Sequence, residues 1–228
     1  MGKKVSLAIF DFDGTLTVGH LFTGIARHHR EFKVNRFYLY LYLIIHLPMH
    51  MATKARLCSE EKNRLKWSED LSILFRGFSQ EDANEAFNWL MDGYFMPLMR
   101  LDIVTILKEH KASGDTVVLL SGMFTQFLKV AAERLGADYA VGTQLEIKDN
   151  IYTGSIIKPS CFGENKAKLL KDFINQKNWE VDFDKSLFYA DSKYDLSAFR
   201  LVGNPIATYP DKELYQIAVC NKWRIIDS

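Results

Sequence analysis

The chain has 228 residues, with 29 Lys and Arg against 28 Asp and Glu for a net charge of +1. Hydrophobic residues at 48% and charged residues at 25% are the proportions of a soluble globular protein, which excludes a disordered chain, a collagen-like repeat and a polytopic membrane protein. At roughly 150 residues per domain the length is about one and a half domains, and so small a net charge argues against a nucleic-acid partner, which calls for a basic excess. Cys58, Cys161 and Cys220 are widely spaced and form no Cys-x-x-Cys pair. Neither a disulfide framework nor a structural zinc site is expected, and a reducing, cytoplasmic setting is. The positive N-terminus resembles the start of a signal peptide, but Asp11 and Asp13 interrupt the apolar run that follows, so it reads as a first strand.

Val5 to Phe10 is that strand, nearly continuous in apolar residues as a parallel strand buried on both faces must be. From Thr17 to Met96 the chain reads as helix after helix, with segments at Leu21–His29, Phe37–His46, Ala52–Ser59, Trp67–Phe75 and Glu81–Met91. Pro48 is expected to break one of them, and Ser79 before Glu81-Asp82 reads as an N-cap. Strand patterns return at Val117–Leu120, ending in a Ser121-Gly122 loop that is expected to cap the next helix, and at Leu187–Ala190, ending in Asp191-Ser192. Helical patterns lie at Leu101–His110, Phe124–Leu135, Lys166–Ile174 and Leu196–Leu201, which places Asp195 beside or within the last. Gln144–Ile157 reads as a hairpin turning at Asp149-Asn150. The alternation predicts a doubly wound, mostly parallel α/β sheet, with the helical block inserted where such sheets bind ligands.

Three strand ends carry polar residues of one kind. Asp11 and Asp13 follow the first strand, Ser121 the second and Asp191 the third, with Asp195 four residues on and Lys166 opening a helix. Carboxylates gathered this closely call for a cation, and Mg²⁺ takes one or two carboxylates with phosphate oxygens and water. A carboxylate can also attack phosphorus, with a lysine and a hydroxyl holding the phosphoryl oxygens.

Asp11-Phe12-Asp13-Gly14-Thr15-Leu16-Thr17 resembles the first motif of the haloacid dehalogenase superfamily. Leu119-Leu120-Ser121-Gly122 is similar to its second motif, Lys166 to its third and Asp191-Ser192-Lys193-Tyr194-Asp195 to its fourth. Cys161-Phe162-Gly163-Glu164-Asn165-Lys166 and the stretch from Gly203 to Trp223 resemble the phosphoserine-phosphatase-like branch. The resemblance implies a Rossmann-like catalytic core over residues 1–16 and 99–228 and a helical cap over 17–98. It implies Asp11 as nucleophile and Asp13 as general acid and base. Phosphate would be held by Ser121, Gly122 and Lys166, and Mg²⁺ by Asp11, Asp191 and the backbone of Asp13, with Thr15 and Asp195 in support. Lys158 and Lys168 are rivals to Lys166 by proximity alone.

The function expected is a Mg²⁺-dependent phosphomonoesterase acting on a small phosphorylated metabolite. The alternatives are a phosphatidylglycerophosphatase-like lipid phosphatase and a non-catalytic binder of a phosphorylated ligand; transfer to an acceptor other than water would use the same residues. In phosphoserine phosphatases a Glu soon after the first motif and an Arg in the cap hold the amino-acid part. Here that Glu position falls near His20, which argues against phosphoserine, and Arg56 is the candidate cap residue, with Lys54 and Arg64 as rivals. The run Phe37–Ile45 is too short to span a bilayer. Packing within the cap is the favoured reading of it, and contact with a membrane surface the other.

Overall fold

The computed structural model describes residues 4–55 and 59–227. Strand β1 (Lys4–Val5) leads into β2 (Leu7–Phe10), and the helical block follows: α1 (Leu21–Glu31), α2 (Arg36–Lys54), α3 (Glu60–Asp70) and α4 (Gln80–Trp89). The chain then alternates through α5 (Leu101–Ala112), β3 (Thr116–Phe124), α6 (Thr125–Leu135), the hairpin β4 (Tyr139–Lys148) and β5 (Ile151–Ile157), and α7 (Glu164–Gln176). It closes with β6 (Glu180–Val181), β7 (Leu187–Ala190), α8 (Leu196–Phe199), β8 (Asn204–Thr208), α9 (Lys212–Asn221) and β9 (Arg224–Ile226).

Seven strands form one sheet in the order β5-β4-β3-β2-β7-β8-β9, all parallel except the β4–β5 hairpin. Residues two apart on a strand share a face, and the central strands show it. Ala8 and Phe10 of β2, with Val117 and Leu119 of β3, enter one apolar cluster with the helical block; Leu7 and Ile9, with Val118 and Leu120, enter a second beneath α7 and α9. Covered on both sides, β2 is buried throughout. The hairpin turns at Asp149-Asn150, both left-handed (φ 49° and 65°), as a type I′ turn requires.

The helical block leaves and rejoins the sheet at adjacent points. The Val18 amide donates to Leu98 O (3.1 Å) and the Arg100 amide to Leu16 O (2.8 Å), so entry and exit run side by side. Hairpin and block are also tied together: the Gly77 amide donates to Tyr152 O (2.9 Å) and the Tyr152 amide to Phe78 O (2.8 Å). The expected N-cap at Ser79 is present as a capping box with Asp82.

Several elements depart from expectation. Pro48 does not break its helix: α2 runs unbroken from Arg36 to Lys54, taking in the start of the helix expected at Ala52–Ser59, of which residues 56–58 lie outside the described residues. A proline interrupts a helix by removing one N–H and crowding the preceding turn; this one lies on the exposed surface of the helix. The helix expected from Trp67 begins at Glu60, because the Ser59 hydroxyl accepts from the Lys62 amide as its cap, and it finishes as a 3₁₀ turn over Leu71–Phe75. Strand β3 does not stop at Leu120 but continues to Phe124 through a register shift against β4, so Ser121 caps no helix and Phe124 precedes α6 instead. Strands β8 and β9 carry no pattern strong enough to have been read from the sequence: each is short, with Pro205 in one. No helix among the described residues is long and apolar enough to cross a membrane.

Candidate active site

Parallel registry gathers the expected residues at one sheet edge. Phe10 pairs with Leu119 on one side and Tyr189 on the other, so Asp11 sits level with Leu120 and Ala190, with Ser121 and Asp191 one step beyond. Lys166 reaches the same place from α7. The buried residues of that helix are Lys166, Leu170 and Ile174, spaced by four, so the stripe that anchors the helix also carries the lysine inward.

The Lys166 Nζ donates to Asp11 Oδ1 at 2.8 Å and also pairs with Asp195 Oδ1. All three residues are buried. Asp195 ends a 3₁₀ helix, Lys193–Asp195, that runs directly into α8, and its side chain is buried against the lysine and is no surface acid. Carboxylate oxygens of Asp11, Asp191 and Asp195 lie within 4.8 Å of one another. Asp191 accepts from Thr15 Oγ1 at 3.3 Å. Gly14 (φ +85°) closes over the same carboxylate, and a Cβ there would stand 2.2 Å from Asp191 Oδ2.

One ammonium faces three carboxylates, and the protonation equilibria respond. Burial, with repulsion from Asp195 and Asp13, lifts the Asp11 carboxyl to about 6 against the pull of Lys166. Burial, then the charges of Asp11 and Asp195, lifts Asp191 to about 8. Burial raises Asp195 as well, although Lys166 opposes it. Burial alone would lower the Lys166 pKa, but Asp11 and Asp195 together outweigh it and hold the ammonium charged. The cluster is thus short of positive charge, and its donors are all hard oxygens within a few ångströms. That set fits a small divalent cation such as Mg²⁺.

The Asp13 side chain turns away from this cluster: its Oδ1 lies 3.1 Å from His20 Nδ1, and it is 39% exposed. Its hydrogen bond raises the His20 pKa. Ser121 is buried beside Gly122, and Thr143 supports that loop, donating to Gly122 O (2.9 Å) while accepting from the Cys161 amide (3.0 Å). Asp11, Asp13, Ser121, Gly122, Lys166 and Asp191 all line one cavity of about 770 Å³. The helical block covers its far side with Phe22, His46, Met49, His50, Arg64 and Trp67.

Arg56 lies outside the described residues. Of its rivals, Lys54 and Arg64 both line the cavity, and the Arg64 guanidinium stacks 5.0 Å from the Tyr194 ring beside the acid cluster. Lys158 instead pairs with Glu69 (2.8 Å), and Lys168 is exposed. Sequence reasoning did not single out Tyr194 or Thr143. Thr143 sits on a hairpin strand and meets the Ser121-Gly122 segment only through registry, so no local signal marks it.

A Rossmann-like sheet with buried acids at the carboxyl ends of its strands, covered by an inserted helical block, defines a class of α/β enzyme folds. The chain belongs to the haloacid dehalogenase-like hydrolases, whose family profile it matches over residues 8–200. It is 28% identical to a histidinol-phosphatase of Neisseria meningitidis over 152 residues, 66% of this chain and 68% of that protein. Among solved structures it is similar to a Bordetella pertussis protein of unknown function (TM-score 0.81, 21% identity, 99% of each chain). It also resembles an apo phosphoserine phosphatase (TM-score 0.65, 21% identity, 99% of this chain and 94% of that one). The chain spans about half the length of several curated relatives it matches, 56% and 53% in two cases.

Proposed function

We propose that the protein is a Mg²⁺-dependent phosphomonoesterase working through an aspartyl-phosphate on Asp11, with residues 1–16 and 99–228 as catalytic core and 17–98 as cap. The observation that carries this reading is the buried cluster of Asp11, Asp191, Asp195 and Lys166 at the floor of a cavity that also receives Asp13. Asp11, Asp191 and the Asp13 carbonyl would hold Mg²⁺, which would supply charge neutralisation for the phosphoryl oxygens.

The ionised Asp11 carboxylate attacks phosphorus, forming an acyl-phosphate bond as the bond from phosphorus to the leaving oxygen breaks. Asp13 gives its proton to that oxygen, releasing an alcohol. Water then attacks the aspartyl-phosphate while Asp13 takes the water's proton, which returns Asp11 to its carboxylate and releases phosphate. Lys166 and the Ser121-Gly122 segment hold the phosphoryl oxygens, and Asp195 fixes Lys166 in place. Thr15 orients Asp191. The cavity's volume suits a small-molecule ligand, and the relatives named histidinol-phosphatase and phosphoserine phosphatase support a small phosphorylated metabolite as substrate. A cytoplasmic setting is in keeping with the free thiols of Cys161 and Cys220.

Hydrolysis of p-nitrophenyl phosphate tests the reading. Activity is expected to require Mg²⁺, to vanish in excess chelator, and to fall by on the order of 10³-fold or more in Asp11→Asn and 10²-fold or more in Asp13→Asn. Metal-independent turnover, or an Asp11→Asn enzyme with wild-type rates, would overturn it. A panel of histidinol phosphate, phosphoserine and phosphatidylglycerophosphate then ranks the leaving groups.

A further inference from the structure

Helix α2 carries an apolar surface on two sides, and the described residues cover only one. Leu39, Tyr42 and His46 are buried against the rest of the helical block, where Tyr42 donates to Trp67 O at 2.9 Å. On the other side Tyr40 is 57%, Ile44 71%, Leu47 57% and Met51 65% exposed. A helix that is apolar all round is ordinarily enclosed all round, and contiguous exposed apolar patches mark docking sites.

Helical geometry places charge on this patch in a particular way. At 100° per residue, Arg36, Tyr40, Ile44, Leu47, Met51 and Lys54 fall within an arc of about 80°. Arg36 and Lys54 are the only charged residues of α2, they stand at its two ends, and the helix contains no Asp or Glu. The exposed stripe is therefore four apolar side chains capped at each end by a cation. Arg30 and Lys33 add exposed positive charge just before the helix, where Glu31 is answered by Arg27 at 4.0 Å, while Glu69 and Asp70 lie on another side of the helix, beside Leu41, Ile45 and His46.

We infer that this face of α2 docks on an anionic phospholipid surface, the apolar stripe entering the headgroup boundary and the terminal cations meeting lipid phosphates. The same charges disfavour a second copy of the chain. A two-fold interface along the stripe would set Arg36 against Lys54 if antiparallel, or each cation against itself if parallel, with no acid on the helix to offset either. Helix α2 also contributes His46, Met49, His50 and, at its C-terminal end, Lys54 to the cavity lining, so docking would fix at the lipid surface an element that also walls the candidate active site.

Co-sedimentation with vesicles tests the inference on the full chain. Binding is expected on phosphatidylcholine vesicles containing phosphatidylglycerol, at least several-fold weaker on phosphatidylcholine alone, and weakened by salt. Ile44→Ser with Leu47→Ser, and separately Arg36→Glu, should each weaken binding by on the order of 5-fold or more. In both, turnover of p-nitrophenyl phosphate without vesicles should match the parent, which shows that the fold survives. The inference is overturned if the wild type ignores anionic vesicles, if the variants bind as it does, or if the wild type is a dimer that the double substitution converts to monomers.

Discussion

Two regions depart from the ordinary pattern of burial in opposite directions. At the carboxyl edge of the sheet, Asp11, Asp195 and Lys166 are ionisable and buried. On α2, Tyr40, Ile44, Leu47 and Met51 are apolar and exposed. Buried charge is tolerated only when partnered, and an exposed apolar stripe persists only at a cost in solubility, so each departure marks something other than folding. The difference lies in what each region still lacks. The acid cluster has an ammonium partner in Lys166 and an oxygen donor set that fits a divalent cation; the outer face of α2 has no covering partner among the described residues.

The comparison breaks most sharply at Lys166. Lys166→Met leaves Asp11 and Asp195 buried without their ammonium, and removal of one partner of a buried ion pair costs about 3–5 kcal/mol. On the proposed mechanism turnover should also fall by on the order of 10²–10³-fold, because Lys166 is the group proposed to meet developing phosphoryl charge. Thermal denaturation and steady-state kinetics measure the two losses, and a variant as stable as wild type would show that the cluster does not depend on its lysine.

Gly14→Ala probes the same edge without altering charge. Its Cβ would meet Asp191 Oδ2 at 2.2 Å from a backbone at φ +85°. Strain of this kind costs of order 1–3 kcal/mol, and Asp191 has to move. A larger loss in apparent Mg²⁺ affinity than in thermal stability is expected, read by titrating activity with Mg²⁺.

Without a cation the raised carboxyls make stability depend on pH. Folding favours the protonated forms of Asp11 and Asp191, whose pKa values of about 6 and about 8 lie above the ordinary 3.8. Between those limits the folded chain keeps protons that the unfolded chain has released, so this cluster's contribution to stability falls as pH rises through that window. Chelator-treated protein should accordingly gain more Tm from added Mg²⁺ at pH about 8 than at pH about 5, and should release protons on binding it. Equal gains at both pH values would mean that the acids are not where the cation binds.

Much of the edge was legible in the sequence because its residues are local to strand ends: Asp11 follows a run that can only be a buried strand, and Asp191 repeats the arrangement. Lys166 was legible through its position in an ordered set of motifs. What escaped depends on three-dimensional registry. Thr143 reaches Gly122 from a neighbouring strand, whereas the support of Lys166 by Asp195 followed from the ordered motifs and is present. The helical block was legible as helices, but its breaks were misplaced, since an exposed proline and a serine cap act through solvent access and side-chain geometry that periodicity does not report. The exposure of one face of α2 was equally hidden: its composition alone reads the same whether one face or both are covered.

The last expected effect concerns that helix. Pro48 is exposed within α2, away from the cavity lining, and removes a main-chain hydrogen bond to the Ile44 carbonyl. An interior proline is about 3 kcal/mol less favourable than alanine, partly offset because proline also restricts the unfolded chain. Pro48→Ala should therefore raise stability by about 1–3 kcal/mol, while leaving p-nitrophenyl phosphate turnover unchanged. A rise in Tm with constant kinetics would show that α2 is held in place by its inner face and needs no break at Pro48. A fall in Tm would mean that the helix depends on the bend a proline imposes, and that the outer stripe is not the straight ridge its spacing describes.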